Sequence, residues 1–295
     1  MVCPEAVLKL EEYVPASGLS TWGIGGLQRY VSRPKNLDDV IESLKFAKER
    51  GLPVLPLGNG SNLLFDDEDF LGMVLKVSSE YLPMSIDGDR LFVSAGKMLA
   101  SMARYARQHG CYDYDYLATI PGAVGGSIVN NAGAFGKEIC DRLLSVLAID
   151  LKTLAVVSIP KSDIQFAYRK CSLRGAYLLL GAEFQFRQSE DEGFAQMNQY
   201  RKTTQPLKSP SAGCVFKNPP GSSAGRLVDE AGLKNLRVGD AIVSDIHANF
   251  ILNAKNASAK NVKELIALVQ DRVFQKTGHH LVREIQYASE AIIFL

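Results

Sequence analysis

Apolar residues at Leu37, Val40, Ile41, Leu44 and Ala47 recur at three- and four-residue spacing, which predicts a helix with one buried face and Gly51 as its C-terminal stop. Residues 54–57 are short and mainly apolar, so they predict a buried strand, and G-N-G-S-N (Gly58 to Asn62) turns the chain. Residues 63–65 and 73–77 predict further strands, and residues 98–108 a helix ended by Gly110. Segments 143–149, 154–159 and 176–186 read as three more β elements, and the polar, acidic stretch 188–193 marks a domain boundary. Helices are predicted over 194–204 and 224–231, the second closed by Gly232, and a strand over 249–253. Val262, Leu265, Ile266, Val269 and Val273 mark a long amphipathic helix, with Ser258 as N-cap and Gly278 as its stop. The last ten residues read as strand. This is an α+β pattern in two parts, 1–190 and a smaller α/β unit at 191–295.

Composition narrows what such a chain can do. With 295 residues, 46% of them apolar, it can fill two cores or one large one. Its 33 basic and 32 acidic residues give a net charge of +1, which argues against nucleic-acid binding. No apolar run is long enough to span a bilayer, and Met1 to Leu10 lacks the basic start and apolar run of an export signal. Five scattered cysteines form no C-x-x-C pair, so a reducing, cytoplasmic setting is expected. No Cys/His cluster or H-E-x-x-H stands in the chain, and no metal site is expected.

Two glycine-rich stretches carry candidate chemistry. In Gly58-Asn59-Gly60-Ser61-Asn62 the glycines permit positive φ, so successive backbone N–H groups can converge on an anion, with Ser61 and the asparagines as further donors. The pentapeptide reads equally as an ordinary turn. The stretch 120–136 (I-P-G-A-V-G-G-S-I-V-N-N-A-G-A-F-G) packs five glycines and no charge, with bends expected at Pro121-Gly122, at Gly125-Gly126 and around Asn130, Asn131 and Gly133. Together the two stretches suit a dinucleotide; close packing of strands and helices is the alternative. A third segment, P-S-A-G-C-V-F-K-N-P (Pro210 to Pro219), holds Cys214 in a small-residue bend with Lys217 and Asn218 behind it. A lone cysteine is usually an inert core residue. Its neighbours here would let a ligand approach closely, and Lys217 could lower the thiol pKa and make it reactive.

Several motifs taken in order make the family recognisable. They are T-W-G-I-G-G (Thr21 to Gly26), L-G-N-G-S-N (Leu57 to Asn62), I-P-G-A-V-G-G-S (Ile120 to Ser127) and N-A-G-A-F-G (Asn131 to Gly136). Tyr168-Arg169, R-K-T-T-Q-P (Arg201 to Pro206), the Cys214 segment and H-A-N-F-I-L-N (His247 to Asn253) follow. The set closely resembles the UDP-N-acetylenolpyruvoylglucosamine reductases, FAD enzymes of bacterial cell-wall precursor synthesis, from about Thr21 to the C-terminus. The resemblance implies a two-part FAD-binding region of the vanillyl-alcohol-oxidase (PCMH) type, followed by a substrate-binding domain. The chain looks like the compact type that lacks an inserted substrate-covering loop.

What the resemblance implies for the site is specific. FAD would be held by Gly58, Asn59, Gly60, Ser61 and Asn62, by Ile120, Pro121, Gly122, Gly125, Gly126 and Ser127, and by Asn131, Gly133 and Ala134. NADPH would reduce the flavin and leave, and the UDP-sugar enolpyruvyl ether would then enter the same cleft. Tyr168, Arg201, Gln205, Lys217 and Asn218 match substrate contacts. Arg169 matches the cation that stabilises charge on the substrate carboxylate, and Glu284 its partner. The proton donor of the family is usually serine; here the position is Cys214. The expected partners are this substrate and NADPH, with neither nucleic acid nor membrane, and the expected state is a monomer. Two other readings stand beside this one: an FAD oxidase or dehydrogenase of the same fold, and a non-catalytic nucleotide-binding protein.

Overall fold

In the computed structural model, which describes residues 8–77, 82–191 and 193–295, strands Leu10–Pro15, Leu27–Ser32, Phe70–Lys76 and Val54–Leu57 lie side by side in that order. The readings of the first ten residues and of Cys3 fall almost wholly outside the described residues. Leu27–Ser32 and Val54–Leu57 both run parallel to Phe70–Lys76. A parallel return requires a crossover, and helix α1 (Leu37–Glu49) supplies it. Asn36 starts this helix by accepting the Asp39 amide at 2.8 Å, and Val40, Leu44 and Ala47 are its buried face.

A second, antiparallel sheet runs in the order Val156–Pro160, Leu143–Asp150, Tyr177–Gln185, Arg90–Ser94, Ser85–Asp87. Helix α2 (Leu99–Gln108) and the short α3 (Val124–Val129) pack Leu99, Met102, Ala106, Val124 and Ile128 against Val93, Val146 and Ala182 of that sheet. The bend expected at Gly125-Gly126 is therefore a helical turn. A Cβ at Gly125 would come within 2.9 Å of the Ala95 Cβ, so glycine lets the helix sit directly on the sheet.

Helices α4 (Phe194–Thr204), α5 (Ala224–Glu230) and α6 (Ala259–Thr277) belong to the last part of the chain, with a small antiparallel sheet of Arg237–Val238, Ala241–Val243 and Ile251–Asn253. α6 has the expected ends: Ser258 accepts from the Asn261 amide, and Gly278 is left-handed at φ 72. The core of this part reaches back to the start of the chain. Trp22 is fully buried in it; its Nε1 donates to Ile251 O at 3.0 Å, and Asn253 Nδ2 donates to Trp22 O at 3.0 Å. Asp67 takes the first two amides of α6 at 2.7 and 2.9 Å, and Lys263 of that helix pairs with Asp66.

The chain end differs from the strand expected there. Only Gln286–Tyr287 is strand, parallel to Leu63–Leu64; a 3-10 turn, Ala288–Glu290, follows, and Ile293 then bridges to Val54. Glu290 explains the turn: its carboxylate accepts from the Tyr287 amide at 3.2 Å at the start of the turn and is held there by both Nη atoms of Arg283. The C-terminus thus returns to the first sheet, alongside the loop 58–62.

Candidate active site

One cavity of about 780 Å³ collects nearly all the candidate residues, a size in the range of cofactor and substrate pockets. The loop 58–62 forms one wall and residues 120–127 the facing one, joined where Ser61 Oγ donates to Pro121 O at 2.8 Å. Among the described residues no protein acceptor takes the backbone N–H groups of residues 58–62, nor those of Gly122, Ala123 and Gly126. All of these residues line the cavity, so their amides form an array open to an anionic ligand. Gly60 sits at φ +67, and a Cβ there would meet Leu19 O at 2.2 Å; no other residue fits the turn. At Gly126 the situation is reversed. A Cβ would meet no protein atom within 4 Å and would stand in the space a ligand uses. The loops therefore fit the diphosphate of FAD on their own geometry.

The other end of the cavity carries the charged groups. Arg169 is the second residue of a two-residue hairpin turn between Phe166–Ala167 and Lys170–Cys171, at φ +57. Left-handed backbone costs a non-glycine residue roughly 1 kcal/mol or more, and such strain concentrates at functional sites. The side chain compensates with three bonds: Nε to Glu284 Oε1 at 2.7 Å, Nη1 to Asn131 O at 3.3 Å, and Nη2 to Gly133 O at 3.2 Å. Burial disfavours its charge, but the carboxylate of Glu284 and its hydrogen bond outweigh this and hold the pKa up. Arg169 is a fixed cation.

Glu284 is tied to both neighbouring segments. Its amide donates to Val215 O at 2.7 Å, its carbonyl accepts from Asn62 Nδ2 at 3.4 Å, and Gln286 N donates to Asn62 O at 3.0 Å. Thr21 makes a second link, with its amide on Gly60 O and its hydroxyl on Ser211 O at 2.7 Å. The glycine loop, the Cys214 segment and the carboxylate thus share one hydrogen-bonded frame.

Cys214 pairs with Phe250 in an isolated bridge, and Asn249 fastens the next residues by accepting from Phe216 N (2.9 Å) and donating to Phe216 O (2.8 Å). Part of the thiol's surface opens into the cavity, but protein surrounds the rest. Burial first, then the charge of Glu284, push its pKa up to about 12, against the pull of Arg201, Arg169 and a bond from Asn249. The expectation that Lys217 would acidify the thiol is overturned. The cations that act on the thiol are Arg201 and Arg169 rather than Lys217, because in an extended segment positions three apart face opposite ways. Cys214 is a protonated thiol.

The remaining candidates divide. Tyr168, Arg201, Gln205 and Asn218 line the cavity, and so do Ile120, Pro121, Gly122, Gly125, Ser127 and Gly133. Arg201 also donates to Thr119 O, at the head of the glycine-rich stretch. Asn218 Oδ1 is taken by Ala224 N at 3.0 Å, leaving its amide NH2 for a ligand. Asn131, Ala134 and Lys217 do not line the cavity. Asn131 instead points its Nδ2 at Glu138 and Ala167 and supports Arg169 through its carbonyl. Ala134 is used in a strand pair with Lys137.

Arg174, Lys208 and Asn249 line the cavity without having been singled out from sequence. Asn249 carries a readable signal, a polar residue inside the apolar run A-N-F-I-L; Arg174 and Lys208 carry none. Among the described residues no carboxylate pairs with Arg174, Arg201 or Lys208, whereas the lining carboxylates Glu284 and Glu290 are already paired with Arg169 and Arg283. The cavity is therefore positive on balance and selects anionic ligands.

Comparison with known proteins gives the same order of parts. Residues 29–153 match the family described as an FAD binding domain, and residues 205–288 match the family described as UDP-N-acetylenolpyruvoylglucosamine reductase, C-terminal domain. The UDP-N-acetylenolpyruvoylglucosamine reductase of Caldicellulosiruptor saccharolyticus is 38% identical over 283 residues, covering 94% of this chain and 91% of that protein. The enzyme of the same description from Bacillus licheniformis is 36% identical over 288 residues, covering 96% and 95%. The crystal structure of the Thermus caldophilus reductase superposes with a TM-score of 0.81 at 33% identity, over 95% of this chain and 98% of that one.

Proposed function

From the premise that this chain belongs to the UDP-N-acetylenolpyruvoylglucosamine reductase family, FAD oxidoreductases of peptidoglycan-precursor synthesis, we propose that it reduces the UDP-sugar enolpyruvyl ether with NADPH and uses Cys214 as proton donor. Residues 1–190 would hold FAD and residues 191–295 the substrate, in a cytoplasmic monomer. The observation that carries the reading is a neutral thiol opening into the same cavity as the Arg169–Glu284 pair.

Bound FAD supplies a hydride for the terminal vinyl carbon, replenished by NADPH. Everything else falls to the protein. Hydride addition puts negative charge on the substrate carboxylate, and Arg169, already desolvated and fixed by three bonds, stabilises it without reorganising. Glu284 keeps the guanidinium aimed and offsets its charge before substrate arrives. The adjacent carbon then takes the Cys214 Sγ proton, so one hydride and one proton have been added across the double bond. A thiol with a pKa of about 12 keeps its proton throughout the neutral range, yet is far more acidic than a C–H bond. The thiolate left behind is stabilised by Arg201 and Arg169, the two cations that act on it, until solvent returns the proton. Arg201, Gln205, Asn218 and Tyr168 are left to hold the UDP-sugar, and Lys217 to add charge at the rim.

The test separates the half-reactions. Purified protein should be yellow, bleach anaerobically with NADPH, and recover its colour when the enolpyruvyl ether is added. A colourless protein that takes up no FAD would sink the enzyme reading; Cys214→Ala blocking both half-reactions equally would sink the proton-donor role.

A further inference from the structure

Arg174 has more hydrogen-bonding capacity than the protein uses. Its Nη2 donates to Asn130 Oδ1 at 2.5 Å and to Val129 O at 3.4 Å, neutral acceptors at the C-terminal end of α3. Capping that helix employs one nitrogen of a guanidinium that has five N–H donors and a permanent charge. The side chain lines the cavity, and among the described residues it has no carboxylate partner. Although exposed toward the cavity, it is surrounded enough that desolvation lowers its pKa.

Two more cations converge on the same rim. The Tyr168 hydroxyl accepts from Asn218 N at 3.4 Å, which sets the hairpin carrying Lys170 against the segment carrying Lys217. Among the described residues neither lysine has an ion-pair partner. Burial weakens the charge of Lys217, and Lys170, Arg174 and Arg169 weaken it further, opposed only by Glu284. That carboxylate is already bonded to Arg169. Lys170 and Arg174 thus act on Lys217 with only the already paired Glu284 to oppose them, an arrangement that an incoming anion would relieve.

We infer that Arg174, with Lys170 and Lys217 at the rim, forms a phosphate subsite for the nucleotides that use the cleft after FAD is in place. The inference rests on the proposed function. The amides of residues 58–62 have no backbone acceptor and would serve the flavin diphosphate, which leaves this subsite for a second ligand. Two phosphate sources fit: the 2′-phosphate of NADPH and the diphosphate of the UDP-sugar.

Kinetics of Arg174→Gln and Arg174→Lys with NADPH, NADH and the UDP-sugar, together with bound-flavin content, test the subsite. A charge-assisted hydrogen bond is worth roughly 1.5–3 kcal/mol, so kcat/KM for the ligand concerned should fall about 10- to 100-fold in Arg174→Gln. Arg174→Lys should restore part of it, and flavin content should stay at the wild-type level. A loss on NADPH that spares NADH assigns the 2′-phosphate. Equal behaviour of the two dinucleotides with a raised KM for the UDP-sugar assigns the diphosphate. Values all within twofold of wild type, or a loss of bound FAD as the sole effect, would overturn the subsite. Should Arg174→Gln fold poorly, Lys170→Gln on the exposed hairpin carries the same readouts. A wild-type enzyme unable to oxidise NADPH would instead remove the functional reading, so the two failures are distinguishable.

Discussion

Arg169 Nε lies 2.7 Å from Glu284 Oε1, although the two residues are 115 positions apart. The pair closes the gap between the hairpin of the first part and a segment bonded to both Asn62 and Val215. Removing the guanidinium should therefore strike the transition state rather than the fold. Arg169→Gln is expected to lower kcat by about 10²- to 10³-fold, the scale of a lost oxyanion donor. The rate of flavin reduction by NADPH, followed by stopped-flow absorbance, should stay within a factor of two. A matching fall in that rate would mean Arg169 serves the cofactor instead.

Cys214 gives a pH prediction. Its pKa lies well above the ordinary thiol value of about 8.5. A proton donor is competent below its pKa and lost as pH rises through it. Activity should accordingly show no thiol-dependent decline between pH 7 and 10, and Cys214 should resist iodoacetamide at pH 8.5. A descending limb near pH 8.5 that disappears in Cys214→Ser would contradict this assignment.

That pH limb shows where sequence reading stops. The α1 and α6 faces, the cap at Ser258 and the stops at Gly51 and Gly278 are legible because they depend on residues within four positions of each other. The thiol pKa is not, since it is set by Glu284, Arg201 and Arg169 arriving from distant parts of the chain. Sequence proximity suggested Lys217 instead, and extended-chain alternation turns that residue away. Gly125-Gly126 read as a bend because glycine is poor in helices; only the Ala95 contact reveals why a helix needs glycine there. Trp22 is part of a recognisable motif, yet its place in the C-terminal core is invisible without the contact to Ile251.

Arg107 is expected to position α4 and hence Arg201. It bonds Asp115 and Asp191 at 2.5 Å each and lies over the rings of Tyr112 and Phe194. The other oxygen of Asp191 accepts from Gly193 and Phe194 at the start of α4. Those amide bonds, then Arg107, hold the Asp191 pKa down to about 2, so the clamp is charged at any working pH and is lost only as pH falls through that value. Arg107→Ala should raise the KM for the UDP-sugar several-fold with little change in melting temperature or flavin reduction. An unchanged KM would leave Arg107 no positioning role.

Trp22 is the sole tryptophan, so its fluorescence reports on the core it joins. Trp22→Phe should cost roughly 1–3 kcal/mol, because Ile251 O is left without its donor inside a buried site. Urea unfolding followed by circular dichroism measures it. A change below about 0.5 kcal/mol, the scale of a neutral surface substitution, would mean that water reaches this carbonyl.

Gly60 and Gly126 both line the cavity, and alanine at each should have opposite consequences for the apoprotein. At Gly60 a Cβ meets Leu19 O at 2.2 Å and the backbone is left-handed, so Gly60→Ala should destabilise the protein whether or not FAD is bound. At Gly126 the Cβ meets no protein atom, and the residue lies within α3, where alanine is favoured over glycine by up to about 1 kcal/mol. Gly126→Ala apoprotein should melt at the wild-type temperature or slightly above it. Its affinity for FAD should nonetheless fall, because the methyl group occupies the ligand's side of the wall and crowds the free amides around it. Titrating apoprotein with FAD while recording its melting curve reads both quantities at once. Undiminished FAD affinity in Gly126→Ala would show that the flavin does not approach this helix, and would move the anion site wholly onto the amides of residues 58–62.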